Sequence, residues 1–171
     1  MLNETVRLAA MSAEPIDESV ALRITSAGSQ ALDGLGDVTA ELMEDSQIRL
    51  LLIDGTPSTV ASACERARVR LEHVDQYKRP RAHLSAAVQL ALCLDAAGGT
   101  EDAQLVFSPA LRTCAALGLS QLLTDEGPQI VRLAKECVAQ TDAGLADNAV
   151  SANVRDFVLT HVNPHGRTGV D

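Results

Sequence analysis

Apolar residues recur at helical spacing along most of the chain. Within residues 84–127, two apolar stripes flank a glycine pair, Gly98 and Gly99, and the second stripe stops at an Asp-Glu-Gly sequence at 125–127. Residues three or four apart share one face of an α-helix, and glycine commonly follows a helix C-terminus. This stretch therefore predicts a helical hairpin.

Proline, glycine and capping residues divide the whole chain into about seven to eight predicted helices. Three helical pairs and two terminal helices are predicted, at residues 1–34, 37–75, 78–118, 128–141 and 148–162. We expect a break in the third helix near Asp45 and Ser46, and a kink or split near Ser108 because Pro109 deletes an intrahelical hydrogen bond. Residues 1–162 then form a single helical domain, and 163–171 are predicted to be a disordered tail.

The second and third helical pairs repeat one another in sequence. When Gly55 is aligned with Gly98, five apolar positions coincide: Val60, Cys64, Ala67, Leu71 and Val74 align with Ala103, Phe107, Ala110, Cys114 and Leu117. A helical pair repeating every roughly 40 residues is typical of an α-solenoid. The predicted fold is therefore all-α, a repeat of helical hairpins. Chance periodicity in a chain rich in alanine and leucine is the alternative.

Composition favours the same architecture. Apolar residues make up 46% of the 171 residues and aromatic residues only 2%, so the core has to be built from leucine, alanine and valine. Small aliphatic side chains favour closely packed helices over sheets. The cysteines stand apart in apolar helical patterns, so we predict small core residues rather than zinc ligands or disulfides: Cys64, Cys93, Cys114 and Cys137.

Charge restricts the possible partners. The formal net charge is −9, from 23 acidic and 14 basic residues, so the chain repels nucleic-acid phosphates and no direct nucleic-acid contact is predicted. No apolar run approaches the ~20 residues of a membrane span, and the first residues lack the pattern of a signal peptide. We expect a soluble, cytoplasmic protein without membrane contact.

Segments 94–99, 110–118 and 123–127 carry a pattern beyond simple periodicity. The second segment ends in Ala115-Ala116-Leu117-Gly118, and the third carries the Asp-Glu-Gly sequence. Over about residues 45–140, the chain resembles the helical repeat region of large LuxR-type, MalT-like transcriptional regulators, and residues 48–55 resemble the leucine-rich helix of that family. Gln121 and Leu123 depart from the family, which more often has Arg and Phe there.

The resemblance implies a tetratricopeptide-like solenoid that receives a signal, either a small effector or a partner protein. The sequence contains no G-x-x-x-x-G-K-[ST] phosphate-binding loop and no recognisable helix-turn-helix after Gly166. We therefore expect a non-catalytic regulatory segment of a transcriptional regulator, separated from ATPase and DNA-binding neighbours. A freestanding helical-repeat scaffold for protein partners is the alternative.

Catalytic and metal-binding patterns are absent from the sequence. The four histidines are scattered, and none follows the E-x-x-H spacing of helical metal sites. Glu41, Glu44 and Asp45 share a helix face, which we interpret as a solvated acidic surface, like the charged face of the fourth helix around Arg66 and Arg70. We predict that the chain is not an enzyme and has no catalytic residue, metal ion or cofactor.

Polar residues on the first helix of each pair are the candidates for binding. Arg49, Tyr77, Arg81 and Gln89 are predicted to contribute to one groove, because arginine and tyrosine together can anchor a peptide or an anionic effector. Ordinary surface exposure is the alternative for each of them. A homodimer is also predicted, through residues 1–13 or the final helix, because exposed ends of a solenoid need cover.

Overall fold

The computed structural model describes residues 5–9, 16–27, 36–142 and 152–162. These residues form nine helical segments, the last of which continues as a turn of π-helix at Val158–Val162. The segments are α1 (5–9), α2 (Glu18–Ala27), α3 (Gly36–Asp54), α4 (Pro57–His73), α5 (Pro80–Ala96), α6 (Thr100–Leu117), α7 (Ser120–Thr124), α8 (Pro128–Asp142) and α9 (Ala152–Phe157). No strand occurs among the described residues, and the all-α prediction is confirmed. The predicted tail at 163–171, like the end of the first predicted pair, lies outside them.

Two successive hairpins, α3 with α4 and α5 with α6, form the centre of the fold. The start of α4 and the start of α6 are separated by the same interval as Gly55 and Gly98. The first three aligned apolar pairs are buried in both hairpins. The last pair differs, because Val74 is buried whereas Leu117 at the end of α6 is 62% exposed. The described part of the chain thus contains two copies of the hairpin, and a longer solenoid stays a prediction.

Glycine ends the first helix of each hairpin, for a local stereochemical reason. Gly55 (φ +65°) donates its N–H to the carbonyl of Leu51, and Gly98 (φ +82°) donates to the carbonyl of Asp95. Such positive φ values cost other residues about 1–2 kcal/mol, and the bonds satisfy carbonyls that the helix end leaves open. Sequence therefore fixes where both hairpins turn.

Helix α5 is the central helix of the described structure. It packs against α4 on one side and α6 on the other, and α8 also contacts it. From Leu84 to Leu94 nearly every residue of α5 is buried, including Val88 and Leu90. A helix that is apolar on all sides belongs inside a protein, so α5 supplies the core around which the others pack.

All four cysteines lie in this core as free thiols, as predicted. Burial raises the pKa of Cys93 to about 12 and that of Cys114 to about 11. Burial likewise raises the pKa of Cys64 and of Cys137. Since the thiolate is the reactive form, these side chains act as small apolar residues.

Two predicted interruptions do not occur. Helix α3 continues through Asp45 and Ser46, where the Ser46 hydroxyl donates to the carbonyl of Leu42 within the helix. Helix α6 continues past Pro109, so it is not split near Ser108, and the predicted kink at that position stays a prediction. Pro109 lies on the exposed side of α6, where water can bond the carbonyl that lacks its intrahelical partner.

Candidate functional site

A buried ion pair within α3 belongs to a network of buried polar side chains in the described structure. Asp45 and Arg49 lie one helical turn apart, and only 6% and 5% of their surfaces are exposed. Arg49 Nε donates to Asp45 Oδ2 at 2.8 Å, and Arg49 Nη2 donates to Asp45 Oδ1 at 3.4 Å. Pairs at this spacing commonly lie on a helix surface, whereas this pair lies in the interior.

The far edge of the Arg49 guanidinium binds Glu126, in the turn between α7 and α8. Arg49 Nη1 donates to Glu126 Oε2 at 2.7 Å, and Nη2 donates to Glu126 Oε1 at 3.0 Å. The two parallel bonds form the bidentate geometry in which arginine binds carboxylates most strongly. Arg49 thereby joins α3 to a turn 77 residues further along the chain.

Asp45 extends the network to the two neighbouring helices. Arg70 Nη1 from α4 donates to Asp45 Oδ1 at 2.9 Å, and Gln89 Nε2 from α5 donates to the same oxygen at 3.0 Å. Gln89 Nε2 also donates to the backbone carbonyl of Asp45 at 3.2 Å, and Arg70 donates to Gln89 Oε1. We call Asp45, Arg49, Arg70, Gln89 and Glu126 the Arg49 cluster.

The charges of the Arg49 cluster balance. Two arginines face two carboxylates, so no net charge is buried. Burial alone raises the pKa of Asp45, but Arg49 and Arg70 outweigh it and hold that pKa below its ordinary value. Burial alone lowers the pKa of Arg49, but the hydrogen bonds that it donates to Glu126 and Asp45, together with their negative charges, raise that pKa overall. Both side chains therefore stay charged at neutral pH.

Further ion pairs join α3 to α4 and to the loop that follows α4. Arg66 Nε donates to Glu44 Oε1 at 2.8 Å, and Arg79 Nη2 donates to Glu41 Oε2 at 2.7 Å. The predicted solvated acidic face of α3 is therefore wrong for Asp45, which is buried, whereas Glu41 and Glu44 are half-buried and have arginine partners. On α4 the predicted solvated face is wrong for Arg70, whose side chain is 10% exposed beside Asp45. Arg66 pairs with Glu44 but its side chain stays 39% exposed.

The structure separates the four predicted groove residues into two pairs. Arg49 and Gln89 are buried together around Asp45. Tyr77 is 88% exposed in the loop between α4 and α5, and Arg81 is exposed in the first turn of α5. Arg49 and Gln89 thus have internal partners, and ligand binding by any of the four stays a prediction.

Sequence reasoning missed Arg70 and Glu126 as members of the cluster. Glu126 had a usable signal, because it is an acidic residue between the apolar segment 119–123 and a Gly-Pro turn, inside the Asp-Glu-Gly motif. Arg70 had no such signal in the sequence, since it is one of several charged residues on α4. The cluster therefore became visible only when the helices were placed side by side.

Two clefts open at the surface of the described structure. One, of about 320 Å³, lies between the end of α6 and α9 and is lined by Ala115, Gly118, Ser120, Asn153, Asp156, Phe157 and His161. The other, of about 410 Å³, lies beside the two hairpin turns and is lined by Gly55, Pro57, Val60, Ala61, Ala96 and Ala97. Neither of these two clefts includes a residue of the Arg49 cluster.

The part of the chain that the structure describes contains neither a candidate metal cluster nor a helix able to span a membrane. Those residues contain no group of three or more His, Cys, Asp or Glu side chains placed to hold a metal ion. None of their helices is both long and apolar enough to cross a bilayer. The arrangement of the Arg49 cluster therefore points to architecture, since its carboxylates and guanidiniums are already bonded to one another.

Comparison with known proteins gives one kind of relative. No family model and no solved structure matches the chain. The chain is 40% identical over 95 residues to the serine/threonine-protein kinase PknK of Mycobacterium tuberculosis (strains CDC 1551 / Oshkosh and ATCC 25618 / H37Rv) and to that of Mycobacterium bovis (strain ATCC BAA-935 / AF2122/97). The similar stretch is 56% of this chain and 8% of the kinase, so the likeness concerns a small part of a much larger protein.

The first prediction concerns Arg49. Replacing it in the variant Arg49→Met leaves the buried Glu126 carboxylate without its cation, so we expect the free energy of unfolding to fall by about 3–5 kcal/mol. Urea denaturation followed by circular dichroism measures the loss. The matched control is Arg112→Met on the exposed side of α6, with an expected change within about 0.5 kcal/mol. Equal effects of the two substitutions would contradict a structural role of Arg49.

The second prediction concerns pH. Because the pKa of Asp45 is lowered in the folded state, its stabilising effect is complete above its ordinary value, about 4, and is lost as the pH falls through the folded value. In Asp45→Asn this titration is absent, so the free energy of unfolding should fall less steeply below about pH 4 than in the wild type. The control Glu65→Gln, at an exposed position in the interior of α4, retains Asp45 and should follow the wild-type slope.

Proposed function

We propose that this chain is a non-catalytic regulatory segment of a transcriptional regulator, which senses an effector or a partner protein through the surface of its helical repeat. The observation that carries the proposal is the Arg49 cluster, in which both carboxylates accept bonds from arginine. Its buried charges bind one another and tie together α3, α4, α5 and the turn before α8. Charged groups used in this way support a fixed binding surface rather than a reaction.

The relatives support a modular role. The similar stretch makes up only 8% of a serine/threonine-protein kinase, as expected for a segment that is one part of a multidomain protein. The present sequence contains none of the G-x-G-x-x-G, H-R-D and D-F-G motifs on which kinase catalysis depends. We therefore attribute to this chain an accompanying role and not the activity in the name of its relative.

The resemblance to MalT-like regulators supports the same proposal. The Asp-Glu-Gly motif that carries the resemblance contains Glu126, the residue that closes the cluster on Arg49. In this chain the motif thus has a structural role, because its glutamate binds the turn before α8 to the first hairpin. A preserved architecture is what a repeat segment of such a regulator requires.

A freestanding interaction scaffold is the second candidate, favoured by large apolar side chains at the surface. Tyr77, Leu105 and Leu117 are well exposed, and such residues are suited to contacts with partners. Leu8 in α1 and Leu159 in the final π-helical turn are also exposed, which fits the predicted homodimer through the ends of the chain. The test therefore has to distinguish regulation of genes from partner binding alone.

A cellular experiment with a matched pair of variants makes that distinction. The native gene is replaced by Arg49→Met, which weakens the repeat, or by the control Arg112→Met, and transcripts are compared with those of a deletion strain. The proposal predicts that Arg49→Met reproduces the transcript changes of the deletion, whereas Arg112→Met resembles the wild type. Unchanged transcripts in the deletion strain would favour the scaffold, and ATP-dependent phosphorylation by the purified chain would refute both candidates.

A further inference from the structure

The cleft between the end of α6 and α9 has the size and lining of a site for a small molecule. Its volume is about 320 Å³, and small-molecule sites occupy about 300–1,000 Å³ and combine apolar walls with a few polar groups. Ala115 and the buried Phe157 supply apolar surface here. Four polar side chains, each with a different functional group, line the same cleft: Ser120, Asn153, Asp156 and His161.

The backbone on one side of this cleft is a π-helical turn. Helix α9 continues into this turn at Val158–Val162, and His161 lies within it, with its ring centroid 5.8 Å from that of Phe157. Val158 and Val162 are buried, so the core holds the turn in place. π-Helical turns are rare and occur frequently at functional sites. The turn is therefore a second observation, separate from the shape of the cleft, that favours a ligand at this position.

Asp156 gives the cleft a negative charge. In the described part of the chain its hydrogen-bond partner is the hydroxyl of Thr160, which donates to Oδ1 at 3.4 Å. Arg155 is next to Asp156 in sequence but does not line the cleft, and neither does any other arginine or lysine. The lining thus contains a carboxylate and no arginine or lysine to balance it.

The end of α6 adds partial negative charge to the same cleft. Ala115 and Gly118 line the cleft where this helix ends. The C-terminal end of a helix carries roughly half a negative elementary charge, which stabilises cations nearby. The last turn of α6 contains no basic residue. The helix end and the Asp156 carboxylate therefore favour the same kind of ligand, a cation.

We propose that this cleft binds a small organic cation that carries a primary ammonium group. The Asp156 carboxylate accepts hydrogen bonds from the ammonium group, and bonds between charged partners are the stronger ones. Ser120 and Asn153 bind the other polar groups of the ligand, and its methylene groups pack against Ala115 and Phe157. The inference rests on the proposed function, for which it names the chemical class of the effector.

Three small molecules with the same four-carbon chain and different end groups test the choice of ligand: putrescine, butanediol and succinate. Binding to the full chain is measured by calorimetry at about pH 8, because imidazoles are then neutral whereas alkylammonium groups stay charged. An ionic strength of about 0.15 M screens long-range attraction to the acidic chain. We expect saturable, one-to-one binding of putrescine, binding at least about tenfold weaker for butanediol, and none for succinate.

Variants assign the binding to the cleft. Asp156→Asn should weaken putrescine binding by about tenfold, whereas Glu65→Gln, the same loss of charge at an exposed position of α4, should leave it within about twofold. Asn153→Leu narrows the cleft without a change of charge, and it should also weaken binding by about tenfold. Circular dichroism verifies that each variant is folded before binding is measured.

Several outcomes would overturn the proposal. These are equal binding of putrescine and butanediol, binding of putrescine that does not saturate, and equal effects of the substitutions at positions 156 and 65. The cleft and the proposed function fail separately. Transcripts that respond to Arg49→Met without putrescine binding would refute only the cleft, and putrescine binding at Asp156 without any transcript response would refute only the function.

Discussion

Arg49 is a charged side chain inside a core of mostly small aliphatic residues, and it remains there because two carboxylates hold it. One carboxylate, Asp45, comes from its own helix, and the other, Glu126, comes from a turn 77 residues away. An arginine buried without such partners would cost several kcal/mol. In this arrangement, burial of Arg49 with both carboxylates brings the turn before α8 against α3.

The composition of the core makes this constraint important. With two phenylalanines and no tryptophan, the helices meet through alanine, leucine, valine and cysteine side chains, which pack in more than one register at similar energy. By contrast, the directional bonds that Arg70 of α4 and Gln89 of α5 donate to Asp45 require one register. We infer that apolar burial stabilises the packed helices and that the Arg49 cluster selects their arrangement, a role for which buried polar groups are best attested in helical assemblies.

The sequence predicted the hairpins because their signals are local. Gly55 and Gly98 each follow an apolar stripe, and the same backbone stereochemistry ends the helix before each of them. Arg49 and Gln89 were assigned to a surface groove, whereas the structure buries them. Periodicity shows which residues share a face of a helix, but it does not show what packs against that face. A polar face that packs against opposite charges has the same sequence pattern as a polar face exposed to water. The partnership with Glu126 depends on chain folding over a long separation, which no local pattern records.

The central claim is that Arg49 and Glu126 act as one unit, and a double-mutant cycle tests it most directly. The free energy of unfolding is measured for the wild type, Arg49→Met, Glu126→Gln and the double variant. If the pair fastens α3 to the turn before α8, the double variant should lose less stability than the sum of the single losses, with a coupling of about 1–3 kcal/mol. Additive losses within about 0.5 kcal/mol would show that the two residues act independently and would contradict the account.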